Sequence, residues 1–173
     1  MALRGQYGSR MTEVLEPWTD FNLAMDGATG ALAGLAIVAA SVNIGDIVKE
    51  NSLTARLASG VATLVLALIV SAVGLVPGLS LAGYGIVVLV ATLIAGGFHG
   101  VASRRIFQNK DPMNRVRPVK AGVGFVPLVS YLAGALLLLA DNGSGLTYLA
   151  VASILAIISA LLVSWVVLVE VLR

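Results

Sequence analysis

Five long apolar stretches decide what this chain can fold into. They run over about 27–44, 57–76, 79–101, 121–140 and 145–172, and their centres carry no charge. Each approaches or exceeds the roughly 20 residues a helix needs to cross a hydrocarbon core of about 30 Å. The 173 residues are 58% hydrophobic and 12% charged, against about 25% charged in a soluble domain. A water-soluble fold has too little interior to hide that surface, so lipid must be the solvent for most of it. The expected fold is all-α: a polytopic transmembrane helical bundle of about five spans over 27–172, behind a polar segment over 1–26.

The connections orient the bundle. The loop over 102–120 carries Arg104, Arg105, Lys110, Arg115, Arg117 and Lys120 against one acid, Asp111. Basic loops between membrane-length segments stay on the cytoplasmic side. Five spans put that loop on the same side as Lys49, Arg56 and Arg173, nine basic residues in all, with Arg4 and Arg10 on the other. The bias predicts N-terminus out and C-terminus in. The same six loop residues are candidates for contact with anionic lipid, at roughly 1 kcal/mol per near-surface cation, or with an acidic partner. A short tethered loop lacks a fold to present charge to nucleic acid, so none is expected.

The N-terminal segment mixes Glu13, Glu16, Asp20 and Asp26 with Val14, Leu15, Trp18 and Phe21, and Pro17 interrupts it. It has no signal-peptide core. It reads as a short interfacial helix with Trp18 and Phe21 at headgroup level, followed by an uncleaved anchor. Pro77-Gly78 and Asp141-Asn142-Gly143-Ser144 are turn signals, and Ser80 is placed to cap the third segment. Tyr84, in Gly83-Tyr84-Gly85, reads as an outer aromatic anchor rather than part of an ion filter.

Chemistry is scarce. There are no cysteines and one histidine, His99, so neither a thiol nucleophile nor a multi-histidine metal site can form. Asp26 and Asp46 flank the first segment rather than entering it, and Glu170 lies near the C-terminus, at the depth of Arg104 and Arg105. Hydrolysis would need paired carboxylates, a Ser/His pair or a metal cluster. The chain is therefore read as a non-enzyme with no catalytic, metal or cofactor residues. Asn43 and His99 are the candidates for a polar path or gate; helix packing or an interfacial hydrogen bond is the plainer role for each.

Small residues carry the clearest packing signal. Gly30 and Gly34 repeat at four-residue spacing, as do Gly96 and Gly100. Ala152, Ala156, Ala160 and Ser164 form a ridge along the last segment. Close backbone approach through such residues is what holds helices together in lipid.

Three stretches carry a family resemblance: 30–37 (GALAGLAI) through Ser41-Val-Asn-Ile44, 75–78 (LVPG) and 164–173 (SWVVLVEVLR). Together they resemble a family of small, multi-span actinobacterial membrane proteins of unestablished function, some of them labelled modulators of a membrane-bound AAA protease. The resemblance implies a multi-pass protein of the bacterial inner membrane with a membrane-complex partner, and it brings no catalytic motif. The functional expectation is a non-enzymatic protein that acts through self-assembly, as a homo-oligomer, or through association with a larger membrane complex. The alternative is a homo-oligomeric ion or small-solute channel, its path lined by Ser41, Asn43, Thr63, Ser71 and Thr92. A lipid-handling enzyme would need residues that the chain lacks.

Overall fold

A computed structural model describes residues 14–49, 51–108, 122 and 124–171. All of the regular structure in them is helical. A 3-10 turn over Glu16–Trp18 leads into α1 (Thr19–Val42). A one-turn helix over Ile44–Ile47 precedes α2 (Asn51–Gly74). Then come α3 (Leu81–Gln108), α4 (Phe125–Leu139) and α5 (Gly145–Val171). Four of the five helices are long and apolar enough to cross a membrane. The fourth in order, α4, has 15 residues, or about 22 Å of helix at 1.5 Å per residue.

Helices α2, α3, α4 and α5 close into a ring in which each packs on the next and α5 returns to α2. Helix α1 lies outside the ring, along α2. The ring's interior is built from Leu66, Val70, Tyr84, Val88, Leu128, Tyr131, Leu138 and Leu149, with Ala135, Ala152 and Ala156 where helices come closest. Large aliphatic side chains such as Leu35, Val38, Leu93, Ile94 and Leu162 point outward instead. That inversion is unfavourable in water and neutral in hydrocarbon, so the four long apolar helices fit a membrane-embedded protein.

The helix ends follow local chemistry. Ser80 Oγ accepts the Gly83 N–H at 3.0 Å, the expected cap of α3. Gly78, with φ +73°, turns the chain between α2 and α3. At the end of α4 the Asn142 N–H donates to Leu137 O (3.0 Å) and the Asp141 N–H to Leu138 O (3.1 Å). That pair of bonds is a Schellman closure, and it holds Asp141 at φ 56°. Asn142 Oδ1 then accepts the Ser144 N–H at 3.0 Å and launches α5.

The element bounds correct several expectations. Helix α1 begins at Thr19, so the acidic residues from Asp20 on are continuous with the first apolar segment. Pro17 is tolerated because it falls in the opening turn. Trp18 and Phe21 meet edge to face at 6.1 Å, and Val14, Leu15 and Trp18 pack against the end of the ring core. The second helix covers 51–74 and not 57–76. The third runs to Gln108, so Arg104 and Arg105 belong to its last turns and not to a loop beginning at 102. The fourth is shorter than 121–140 at both ends.

Candidate functional site

The single histidine is built into the bundle. His99 is 4% exposed, and its Nε2 lies 2.7 Å from Thr63 Oγ1 across the α2–α3 contact. Thr63 has one hydroxyl hydrogen, and it donates that to Ser59 O at 2.9 Å. Thr63 must then accept from His99, which assigns the ring hydrogen to Nε2. On its other side the ring meets Gly124, where a Cβ would stand 2.5 Å from Nδ1. The Phe125 ring lies at 5.7 Å. His99 therefore ties α2, α3 and the start of α4 together. Of its two expected roles, this geometry matches a hydrogen bond to a neighbouring helix.

Three of the other polar candidates, Ser41, Asn43 and Thr92, are committed to backbone, and the fourth, Ser71, has no hydrogen-bond partner. Ser41 Oγ donates to Ile37 O at 2.8 Å and Asn43 Nδ2 to Ala39 O at 3.0 Å, both within α1. Thr92 Oγ1 donates to Val88 O at 2.7 Å. The Tyr84 hydroxyl donates to Val70 O at 2.8 Å, so Tyr84 is a buried strut between α3 and α2, not an outer anchor. The Tyr131 hydroxyl lies 3.0 Å from Ser153 Oγ. Because Ser153 gives its own hydrogen to Leu149 O, Tyr131 is the donor. The two tyrosines, with Leu66, Leu138 and Val88, occupy the middle of the ring as its largest fully buried side chains. A path through one chain would have to displace them.

The small residues divide into two sets. Ala152, Ala156 and Ala160 are buried inside the bundle, at 0, 0 and 2% exposure, and Ser164 at the end of that ridge is half-buried. Gly30 faces Leu68 Cδ1 at 3.6 Å. At Gly34, Gly96 and Gly100 an added Cβ would meet nothing within 4 Å, so these three make no close approach among the described residues. The close approaches fall at glycines that spacing did not single out. A Cβ on Gly145 would stand 2.6 Å from Gly134 O, and one on Gly85 would stand 3.0 Å from Ala135 O.

An apolar groove of about 840 Å³ runs between α1, α2 and α3, lined by residues such as Ile37, Val61, Val65, Ile86 and Phe98. It exists because α1 leans mainly on α2. Arg104 and Arg105 are exposed at the end of α3. Lys110, Arg115, Arg117 and Lys120 lie outside the described residues, and so does the side chain of Glu170. Among the described residues no group of three or more histidines or acids could hold a metal ion.

One acid that the sequence placed ahead of the first segment lies within the first helix. Asp26 is seven residues into α1, and its Oδ1 is sealed from solvent with no hydrogen-bond partner. The signal that could have found it is the four-residue series Asn22, Asp26, Gly30, which puts polar and small residues on one helix face.

These features define a helical membrane protein whose polar side chains mostly serve its own packing. Comparison of the chain with family models, curated proteins and solved structures gives no match.

Proposed function

We propose that the chain is a non-enzymatic, multi-pass protein of the bacterial plasma membrane that acts through assembly, with itself or within a larger membrane complex. The observation that carries this reading is the open glycine surface: Gly34 on α1 and Gly96 and Gly100 on α3, each with nothing within 4 Å of a Cβ position. A glycine in a helix interior costs roughly 0.5–1 kcal/mol relative to alanine. Close approach of a helix from another chain is a use that offsets this cost in lipid. The N-out, C-in orientation and the contact of the 102–120 basic residues with anionic lipid rest on the nine-to-two charge bias.

The test is native mass measurement in mild detergent, beside the variants Gly34→Leu and Gly96→Leu. An oligomer or a co-purifying partner is expected for the wild type, with dissociation in at least one variant. A wild-type monomer with no partner would overturn the reading. The channel alternative requires a path between copies, since the ring's middle is filled; flux through reconstituted liposomes separates the two.

A further inference from the structure

Two side-chain oxygens in the described residues are buried without a hydrogen-bond partner: Asp26 Oδ1 and Ser71 Oγ. The contacts between α1 and α2 bring them to one level. Asn22 lies against Gly74, Gly30 against Leu68, and Ala33 shares a cluster with Leu64. The helices are antiparallel, so as α1 advances from 22 to 33, α2 retreats from 74 to 64. That register sets Asp26 opposite Ser71. Ser71 also falls in the stripe Gly74, Leu68, Leu64 that faces α1, at helical three- and four-residue spacing.

Ser71 is anomalous among buried hydroxyls. Thr29, Ser59, Thr63, Thr92 and Ser153 each donate to a carbonyl three or four residues earlier in their own helix. Ser71 is 1% exposed and makes no such bond, so both its lone pairs and its hydrogen are uncommitted.

The charge at Asp26 has no partner among the described helices. Between Leu57 and Gly74, α2 has no ionisable residue. At this level α3 offers the Tyr84 hydroxyl, which is already given to Val70 O. Along 145–166, α5 offers Tyr148 alone, and α4 offers Tyr131 alone. Glu16 in the 3-10 turn and Asp20 at the start of α1 have the same sign. The first base along α2 is Arg56, fifteen residues from Ser71, or about 22 Å of helix. Asp26 is half-buried, and it is the Oδ1 side of its carboxylate that is sealed without a partner; an unpaired buried charged oxygen is costly, and an acid within an apolar helix normally marks an ion position.

We propose that Asp26 and Ser71 form a binding position for a small monovalent cation, Na⁺, at the α1–α2 interface. It lies one helical turn from the end of α2 at Gly74. The cation supplies the positive charge that no described side chain brings to Asp26, and Ser71 Oγ is its second oxygen ligand.

The probe is dicyclohexylcarbodiimide, an apolar reagent that modifies protonated carboxyl groups in water-poor surroundings. The full chain in liposomes is labelled over a range of pH, in NaCl or in choline chloride, and peptides are mapped. Asp26 should label several-fold over Glu16 and Asp20, with the signal lost in Asp26→Asn and kept in Asp26→Glu. Protection by Na⁺ but not by choline identifies Na⁺ as the occupant. Labelling indifferent to Na⁺ overturns the proposal. Ser71→Ala should raise the half-protecting concentration roughly tenfold, the equivalent of about 1.4 kcal/mol. Labelling of Asp26 no different from that of Glu16 and Asp20 under every condition overturns the proposal, as does a Ser71→Ala response identical to wild type. Far-UV circular dichroism of each variant separates a lost site from a lost fold.

Discussion

The α4–α5 crossing makes a quantitative prediction. Gly134 and Gly145 face each other across it, with no side chain between the two backbones. A methyl on Gly145 would stand 2.6 Å from Gly134 O and 2.8 Å from Leu138 Cγ, whereas ordinary van der Waals contact begins at 3.4 Å. The first of those atoms is backbone, so relief requires the helices to separate by about 0.8 Å, the difference between the two distances. Overpacking of this kind costs about 1–3 kcal/mol, and the rigid obstacle puts Gly145→Ala in the upper half. Gly134→Ala meets Leu149 Cδ2 at 2.6 Å and Gly145 O at 3.0 Å. The leucine can rotate away, so about 1 kcal/mol is expected. Gly34→Ala meets nothing within 4 Å and should lie within about 0.5 kcal/mol of wild type. Unfolding in mixed micelles with increasing SDS, followed by far-UV circular dichroism, ranks the three. The reasoning fails if Gly145→Ala matches wild type, or if Gly34→Ala costs as much as Gly145→Ala.

Three further perturbations follow from single contacts. Thr63→Val removes the acceptor of His99 Nε2–H and leaves a buried donor unpaired, so the same titration should show a loss of about 1–3 kcal/mol. Gly124→Ala should force the His99 ring off Thr63, because the new methyl would stand 2.5 Å from Nδ1; a changed imidazole resonance in NMR of selectively labelled protein would report it. Asp141→Gly should stabilise by up to about 1 kcal/mol, since φ 56° is a conformation glycine adopts without the Cβ penalty. A cysteine placed at Lys110, in a chain that has none of its own, should react only with membrane-permeant maleimide in intact cells if the basic loop is cytoplasmic.

The helical class and the order of the helices were readable because apolar length is a direct consequence of bilayer thickness. The bounds were not, because the same criterion ignores whatever continues a helix beyond the apolar core. Helix α1 extends back to Thr19 through Asp20 and Asp26, since helical backbone bonds form as readily among polar residues. Helix α3 carries Arg104 and Arg105 because nothing at Ala102 or Ser103 stops it. Ser80 and the 141–144 turn were legible since caps and tight turns are chemistry between neighbours in sequence.

Sites depend on which face a helix turns toward which neighbour, and the sequence does not record that. Gly30, Gly96 and Gly134 look alike in a string of letters. Gly30 meets a leucine tip, Gly96 meets nothing, and Gly134 meets the backbone of α5. The difference arises from the ring: α4 is held between α3 and α5, while α1 has α2 as its principal neighbour. Interior positions of α4 are therefore crowded from two sides, and α1 keeps a broad free face. The same asymmetry accounts for Asp26. An acid inside the ring would be surrounded by Leu, Val and Tyr, with little room for a counter-ion. At the single α1–α2 seam it lies one helix away from lipid and one turn from the α2 terminus. Weakening that seam alone should therefore alter cation protection at Asp26 without unfolding the four-helix ring. Leu64→Ala, at the far end of the seam from Asp26, is the substitution that separates the two: protection should fall while helicity by circular dichroism stays.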